Sequence, residues 1–350
     1  MDNSSQRKIL QVSPACELPQ LARDITAALA GNGPTLGFGE VSSEFAPSQA
    51  AVVIGTSGTT GTPKEISLSA HALLSSARAS NTFVGAKLGN TWSLLLPLTH
   101  VAAVNVFVRA FELGTIPVDL RNHTGEYPRV DFTAIVPTQL FRALNGDEHL
   151  LKHLQSAQKV LVGGAALSTA IRNQATAAGI KIVTTYGMSE TSGGCVYNGE
   201  VLDDVEVEVR GGSIFIRGKV LALNLNLNDG WFETNDLGEF IDDKLVVIGR
   251  SDDVIITGGE NLSLNNVESI LNEHFPTIQC AAFSVEDPQW GESLHIAVVG
   301  QIDSNNISTV LESKIGPFAK PKGIHSVESI PLLGIGKVDR TRLAQGITNE

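Results

Sequence analysis

The sequence predicts an α/β protein. A large N-terminal domain of mostly parallel, covered sheets with a β-rich subdomain is followed by a small α+β C-terminal domain. Three observations carry this expectation. Between residues 92 and 187, apolar strand candidates at 92–98, 115–118, 131–136, 159–162 and 181–185 alternate with helical stretches, the pattern of βαβ units. Next, Val205-Glu206-Val207-Glu208-Val209-Arg210 and Ser213-Ile214-Phe215-Ile216-Arg217 alternate around Gly211-Gly212 as an antiparallel hairpin. Beyond residue 252 a further set follows, with strands near 279–283 and 294–299 and helices at 263–273 and 306–314. At 350 residues and 42% hydrophobic, the chain can bury two cores.

Along the chain, 51–55 reads as a buried strand and 65–69 resumes an alternation of polar and apolar residues. Between them runs Thr56-Ser57-Gly58-Thr59-Thr60-Gly61-Thr62-Pro63-Lys64. Two glycines permit close backbone approach, hydroxyls can donate to phosphate oxygens, and Lys64 adds positive charge. A Ser/Thr/Gly stretch also serves as a linker, but a loop pinned between strands is a poor one. It is not a Walker loop, because Pro63 precedes the lysine and Glu65 follows it. Thr138 is placed to cap a helix running to 145, and Ser168 another running to 178 ahead of Gly179. If 101–113 is helical, Arg109 lies one turn beyond Asn105 on a mostly apolar segment and needs an anionic partner. Either Glu112 supplies it internally or a ligand does. The strand pattern ends at Gly249-Arg250, which sets a boundary near Asp252 and domains at 1–251 and 252–350.

With 25 Lys and Arg against 37 Asp and Glu, the net charge is −12, and no long basic run occurs, which argues against nucleic acid as a partner. Cys16, Cys195 and Cys280 are odd in number and widely spaced, so neither a disulfide framework nor a zinc cluster is expected. The polar start lacks the apolar run of a signal peptide, and no segment approaches the ~20 apolar residues that span a bilayer. A cytoplasmic protein is expected.

The 56–64 stretch resembles the phosphate-binding signature of the adenylate-forming superfamily of acyl-CoA synthetases, adenylation domains and luciferases. Further resemblances occur in order. They are Gly163-Gly164-Ala165, Tyr186-Gly187-Met188-Ser189-Glu190-Thr191, Gly230-Trp231-Phe232-Glu233-Thr234-Asn235-Asp236, Gly249-Arg250-Ser251-Asp252-Asp253 and Gly336-Lys337-Val338-Asp339-Arg340. The resemblance covers 51–350, and six motifs in the right order exclude coincidence. About 50 residues precede the first, fewer than in most of that family, so the N-terminal domain is expected to be a shortened one.

The resemblance implies ATP, Mg²⁺ and coenzyme A as ligands. Thr56, Ser57, Gly58, Thr59, Thr60, Gly61, Thr62 and Lys64 would hold the ATP phosphates. Glu190 would coordinate Mg²⁺, a hard cation suited to one carboxylate plus phosphate oxygens. Thr191 would meet the α-phosphate. Gly163, Gly164 and Ala165 would line the adenine, Tyr186 would stack on its other face beside Gly187, and Asp236 with Arg250 would take the ribose. Lys337 would meet the α-phosphoryl group as a carboxylate attacks it. Asp252 would be the hinge of a mobile C-terminal domain whose second face, at Gly258 and Gly259, approaches the pantetheine arm of coenzyme A. Taken without the family, each has a plain reading: a loop glutamate, a turn aspartate, a surface arginine, a tight turn, a solubilising lysine.

His100, in Pro97-Leu98-Thr99-His100-Val101, is expected to border the acyl pocket with Asn105, Arg109, Gly187 and Met188, and counts as catalytic with Lys337 and Thr191. This stretch is similar to the o-succinylbenzoate-CoA ligases of menaquinone biosynthesis, whose acid carries two carboxylates, and the short N-terminal region resembles their compact actinobacterial forms. Thr99 departs from the phenylalanine often found before the histidine. Arg109 would then grip the second carboxylate. The implied reaction is carboxylate attack on the α-phosphorus of MgATP, giving an acyl-adenylate and pyrophosphate, then displacement of AMP by the coenzyme A thiol. The alternatives are a CoA ligase for a different acid, a carrier-protein adenylation enzyme, or a silent nucleotide-binding protein. The intact Lys64, Glu190, Asp236 and Lys337 speak against the last. The resemblance also admits a homodimer.

Overall fold

The computed structural model describes residues 6–56, 64–275, 278–300, 303–333 and 337–348, with the backbone alone at 252, 333, 337, 347 and 348. The expected parallel sheet is present. Strands Val118–Asp119, Trp92–Leu94, Phe132–Ile135, Lys159–Val162 and Ile182–Met188 lie side by side in that order, all parallel. Two antiparallel strands, Gly193–Tyr197 and Glu200–Val201, extend it beyond the last. Such strands need cover on both faces. One face carries helices Pro137–Leu144, Glu148–Ser156 and Thr169–Ala177, whose Leu140, Leu150, Leu154 and Ala175 are buried against Val160 and Val162.

The other face carries helices Ala70–Val84 and Val101–Glu112, which also pack on a second, five-stranded sheet. That sheet is ordered Phe45–Pro47, Gln6–Gln11, Thr35–Phe38, Ala50–Thr56, Lys64–Ser69, and it accounts for the N-terminal region that the motifs did not reach. Lodged between two sheets, Val101–Glu112 is buried nearly all round, from Ala103 through Ala110. A helix apolar on every side belongs in such a place. Asn105 and Arg109 are carried in with it, 1% and 4% exposed.

The hairpin Val205–Arg210 with Ser213–Gly218 forms as expected and continues into Phe232–Ile241 and Lys244–Arg250, an antiparallel four-stranded sheet. A short turn, Ser251–Asp253, then leads into a different sheet made of Glu260–Ser263, Val254–Thr257, Gly291–Val299, Gln279–Asp287 and Gly323–Val327. Helices Leu264–His274 and Ser304–Lys314 cover it. Ser263 and Asp303 cap them, each side chain accepting from a backbone N–H in the first turn.

One expected cap is corrected. Ser168 does cap its helix, accepting from Ile171 N at 3.3 Å, but Thr138 does not cap the helix Pro137–Leu144. Pro137 fixes the first turn one residue earlier, Val136 stands at the cap position, and Gln139 Oε1 accepts from Val136 N at 3.1 Å. No helix among the described residues is long and apolar enough to cross a membrane.

Candidate active site

The seven residues 57–63 of the expected phosphate loop lie outside the described residues, but its two ends are fixed. Thr56 and Lys64 pair across the antiparallel ladder, and Thr56 Oγ1 donates to Lys64 O at 3.1 Å, so the loop leaves and re-enters one strand pair. Segment 222–224 ties that pair to the Glu190 turn. Ala222 N donates to Glu190 O and Leu223 N to Ser67 O, both at 2.9 Å, while Asn224 Nδ2 donates to Glu65 O at 2.7 Å. The strand end also meets the acyl segment through Gly39. A Cβ on Gly39 would stand 2.7 Å from Gly55 O and 3.1 Å from Thr99 O, and its φ of +76° suits glycine.

Glu190 sits in the turn Ser189–Thr191 at the C-terminal end of strand Ile182–Met188, where open α/β sheets bind ligands. Its carboxylate makes no hydrogen bond or ion pair among the described residues, and no cluster of three acidic, His or Cys groups competes with it there. A lone, half-exposed carboxylate fits a hard cation that takes its remaining ligands from phosphate oxygens and water. Thr191 follows Glu190 in the same turn. Wholly buried, its hydroxyl donates to Gly193 O at 2.7 Å and accepts from Met188 N at 3.0 Å. It shapes the turn from inside.

The nucleoside candidates converge. Tyr186 donates its hydroxyl to Asp236 Oδ2 at 2.9 Å, and Asp236 lies beside Arg250 in the ladder with Oδ1 to Nη1 at 4.0 Å. Burial, reinforced by the Asp236 charge, pushes the Tyr186 hydroxyl pKa up, so it remains a donor. Gly163 begins the turn after Lys159–Val162. A side chain there would collide with Thr185 Oγ1 at 2.2 Å, and Gly164 follows with φ +85°. The pair is thus both a tight turn and a place without side-chain bulk. Ala165 continues the same turn.

A cavity of about 210 Å³ joins this region to the acyl candidates. His100, Asn105, Arg109, Gly163, Gly164, Gly187 and Met188 all line it, with Ser189, Gly193, Gly194 and Tyr197 and an apolar wall that includes Leu96, Val101 and Leu161. The His100 imidazole forms no hydrogen bond among the described residues, and burial lowers its pKa, which leaves it neutral at pH 7. Gly187 lies at a bulge, its Cα so close to the next strand that a Cβ would sit 2.0 Å from Gly193 O. Asn105 Nδ2 donates to Ser192 O at 2.7 Å, leaving Oδ1 buried and without a partner among the described residues.

Arg109 settles the question left open by spacing. Glu112 does not pair with it but with Arg78. Among the described residues Arg109 has no carboxylate partner. Nη2 donates to Tyr197 Oη at 3.0 Å, the guanidinium lies over Trp92 at 5.1 Å, and Nε is buried without a partner. A buried cation left unpaired costs several kcal/mol. Tyr197, Trp92 and Ser80 were not legible as site residues. The only signal was the pair Gly193-Gly194, where a Cβ would meet Asn105 Nδ2 at 1.8 Å and Tyr197 Cε1 at 2.5 Å.

In the C-terminal region, Lys337 lies on a short antiparallel pair with Leu332–Leu333, while 334–336 are outside the described residues. Arg340 anchors that segment. It bonds Asp253 Oδ1 at 3.1 Å, Asn265 Oδ1 at 2.9 Å and Ala282 O at 2.7 Å, and pairs with Glu268. Asp252, the expected hinge, is in the turn Ser251–Asp253. Gly258 and Gly259 make a hairpin turn with φ of +60° and +86°, and a Cβ on Gly258 would strike the Trp290 ring at 2.5 Å.

The Glu190 turn, the Tyr186–Asp236–Arg250 group, the Gly163-Gly164 turn and the cavity thus adjoin one another at the C-terminal ends of the parallel strands, where α/β enzymes bind their ligands. The chain belongs to the AMP-binding enzyme family, whose main domain matches residues 5–221 and whose C-terminal domain matches 266–337. A probable 2-succinylbenzoate–CoA ligase of Mycobacterium tuberculosis is 36% identical over 331 residues, 86% of this chain and 85% of that protein. A 2-succinylbenzoate–CoA ligase of Listeria monocytogenes is 28% identical over 85% of this chain and 70% of its own length. In fold, the chain is similar to the o-succinylbenzoate CoA synthetase of Bacillus subtilis solved with its acyl-adenylate intermediate. The TM-score is 0.76, with 20% identity, covering 96% of this chain and 82% of that one.

Proposed function

We propose that this chain is an AMP-forming 2-succinylbenzoate–CoA ligase of menaquinone biosynthesis, with ATP, Mg²⁺ and coenzyme A as its other ligands. The observation that carries the acid assignment is the buried guanidinium of Arg109 on the wall of the cavity, without a carboxylate partner among the described residues. An acid with a second carboxylate supplies the missing anion, and a monoacid leaves the cation desolvated and alone.

In this reading the reacting carboxylate lies near His100 and the Gly187-Met188 backbone, with its distal carboxylate at Arg109. One carboxylate oxygen attacks the α-phosphorus, forming a C–O–P linkage as the bond to the β-phosphate oxygen breaks and pyrophosphate leaves. Lys337 offsets charge building on the α-phosphoryl oxygens, a term worth about 3 to 4 kcal/mol for one well-placed donor. Glu190 would hold Mg²⁺, which supplies charge neutralisation across the phosphates. Asp236 accepts from the ribose hydroxyls, with Arg250 beside it, and the 56–64 loop cradles the phosphates. His100, neutral, borders the acyl group without adding charge. The coenzyme A thiol then attacks the acyl carbon and AMP departs.

Residues 1–251 form the nucleotide- and acid-binding domain and 252–350 the lid, turning about Asp252 to exchange Lys337 for Gly258 and Gly259. The same reading puts the enzyme in the cytoplasm, without a nucleic-acid partner, as a monomer or homodimer. The test is product analysis. With 2-succinylbenzoate, MgATP and coenzyme A, the expected products are AMP and the aryl-succinyl thioester in equal amounts. ADP as product, or AMP without thioester, would overturn the proposal.

A further inference from the structure

A guanidinium buried without a counter-ion has to be held in place, and what holds it decides what it can recognise. Arg109 Nη2 donates to Tyr197 Oη at 3.0 Å, and Tyr197 Oη is also 2.9 Å from Ser80 Oγ. An arginine has donors and no acceptor, so Tyr197 must accept from it, and the phenolic proton is left for Ser80. The bonds therefore run one way, from helix Val101–Glu112 through strand Gly193–Tyr197 to helix Ala70–Val84. Every residue in that chain is buried: Ser80 and Tyr197 are 0% exposed and Arg109 4%. The ring is fixed as well, edge-on to Phe83 with centroids 5.3 Å apart.

We propose that Tyr197, backed by Ser80, is a positioning residue that sets specificity for an acid with a distal carboxylate. This rests on the reading of Arg109 given above. A carboxylate in place of the phenol would hold the guanidinium equally well, but it would neutralise the charge and cancel the attraction for an anion. A hydroxyl orients without neutralising. Nη1, which has no partner among the described residues, is left for the ligand with the full positive charge, while Nε lies buried behind it.

The experiment is steady-state kinetics of Tyr197→Phe, Ser80→Ala and the double variant with 2-succinylbenzoate, alongside ATP titrations and Arg109→Leu. Tyr197→Phe keeps the ring and removes the bond. It is expected to raise KM for 2-succinylbenzoate about ten-fold, with kcat and the KM for ATP nearly unchanged. Ser80→Ala raises it less, and the double variant matches Tyr197→Phe alone, because Ser80 acts only through the phenol. A merely structural role would move both KM values and kcat together, and that result overturns the inference. So does an unchanged acid KM in Tyr197→Phe and Ser80→Ala while Arg109→Leu raises it. If Arg109→Leu itself leaves the acid KM unchanged, the reading of the site fails and this inference fails with it.

Discussion

Arg109 and Glu112 stand three residues apart on one helix and do not pair: Glu112 bonds Arg78, and Arg109 bonds the phenol of Tyr197 at 3.0 Å. An exposed arginine takes the carboxylate that a buried one lacks. Kept buried in this way, the charge costs stability.

Arg109→Leu should separate binding from stability. Removing a partner of a desolvated charge pair costs about 2 to 5 kcal/mol of binding, so KM for 2-succinylbenzoate should rise by about 30-fold or more while KM for ATP stays put. Replacing a buried cation by an apolar side chain of similar volume should leave the melting temperature equal or higher. Unchanged acid kinetics, or a lowered melting temperature with both KM values raised, would point to a structural role instead.

Lys337→Ala should separate the two half-reactions. Adenylate formation should fall by about 10²- to 10³-fold, with thioester formation from preformed acyl-adenylate retained. Equal loss of both, measured in single-turnover experiments, removes the role assigned to this lysine.

The nucleoside cluster predicts a selective ATP defect. Asp236 accepts from Tyr186 at 2.9 Å and neighbours Arg250 in the ladder. Asp236→Ala should raise KM for ATP by about 10- to 100-fold, the range of a hydrogen bond to a charged group, without changing the acid preference. A shift in acid selectivity would place Asp236 elsewhere.

The histidines fix the sign of the pH response. Burial lowers the pKa of His100, His153 and His295 below the ordinary 6.5, with the neighbouring His325 adding to the effect on His295. The unfolded chain then binds protons that the folded one resists. Stability is complete above 6.5 and declines as pH falls through it, before the lowered carboxylates Glu65, Asp119 and Asp131 begin to titrate. Melting temperature should drop between about pH 7.5 and 5.5, and a flat or rising profile in that window contradicts the assignment.

Much of this was legible in the sequence because it is local. The βαβ alternation, the Val205–Arg210 hairpin and the Ser168 cap each depend on neighbours within one element. Thr138 failed as a cap because Pro137 captured the start of the helix. The bonds of the Thr191 hydroxyl to Gly193 and Met188 are a geometry that a motif does not reveal. Ser80, Trp92 and Tyr197 were invisible for another reason. They gather behind Arg109 only after two helices are sandwiched between two sheets, and Ser80, which bonds Tyr197, is 117 residues from it. Of the phosphate loop and the Lys337 motif, 57–63 and 334–336 fall outside the described residues.

The central claim, an adenylating ligase whose pocket demands two carboxylates, is tested most directly by pyrophosphate release with MgATP and coenzyme A over an acid panel. The acids are 2-succinylbenzoate, benzoate and a medium-chain fatty acid. The account predicts release with 2-succinylbenzoate, preferred over either monoacid by about 10⁴-fold in kcat/KM. Turnover of a monoacid with none of the dicarboxylate would contradict it and return Arg109 to the scaffold.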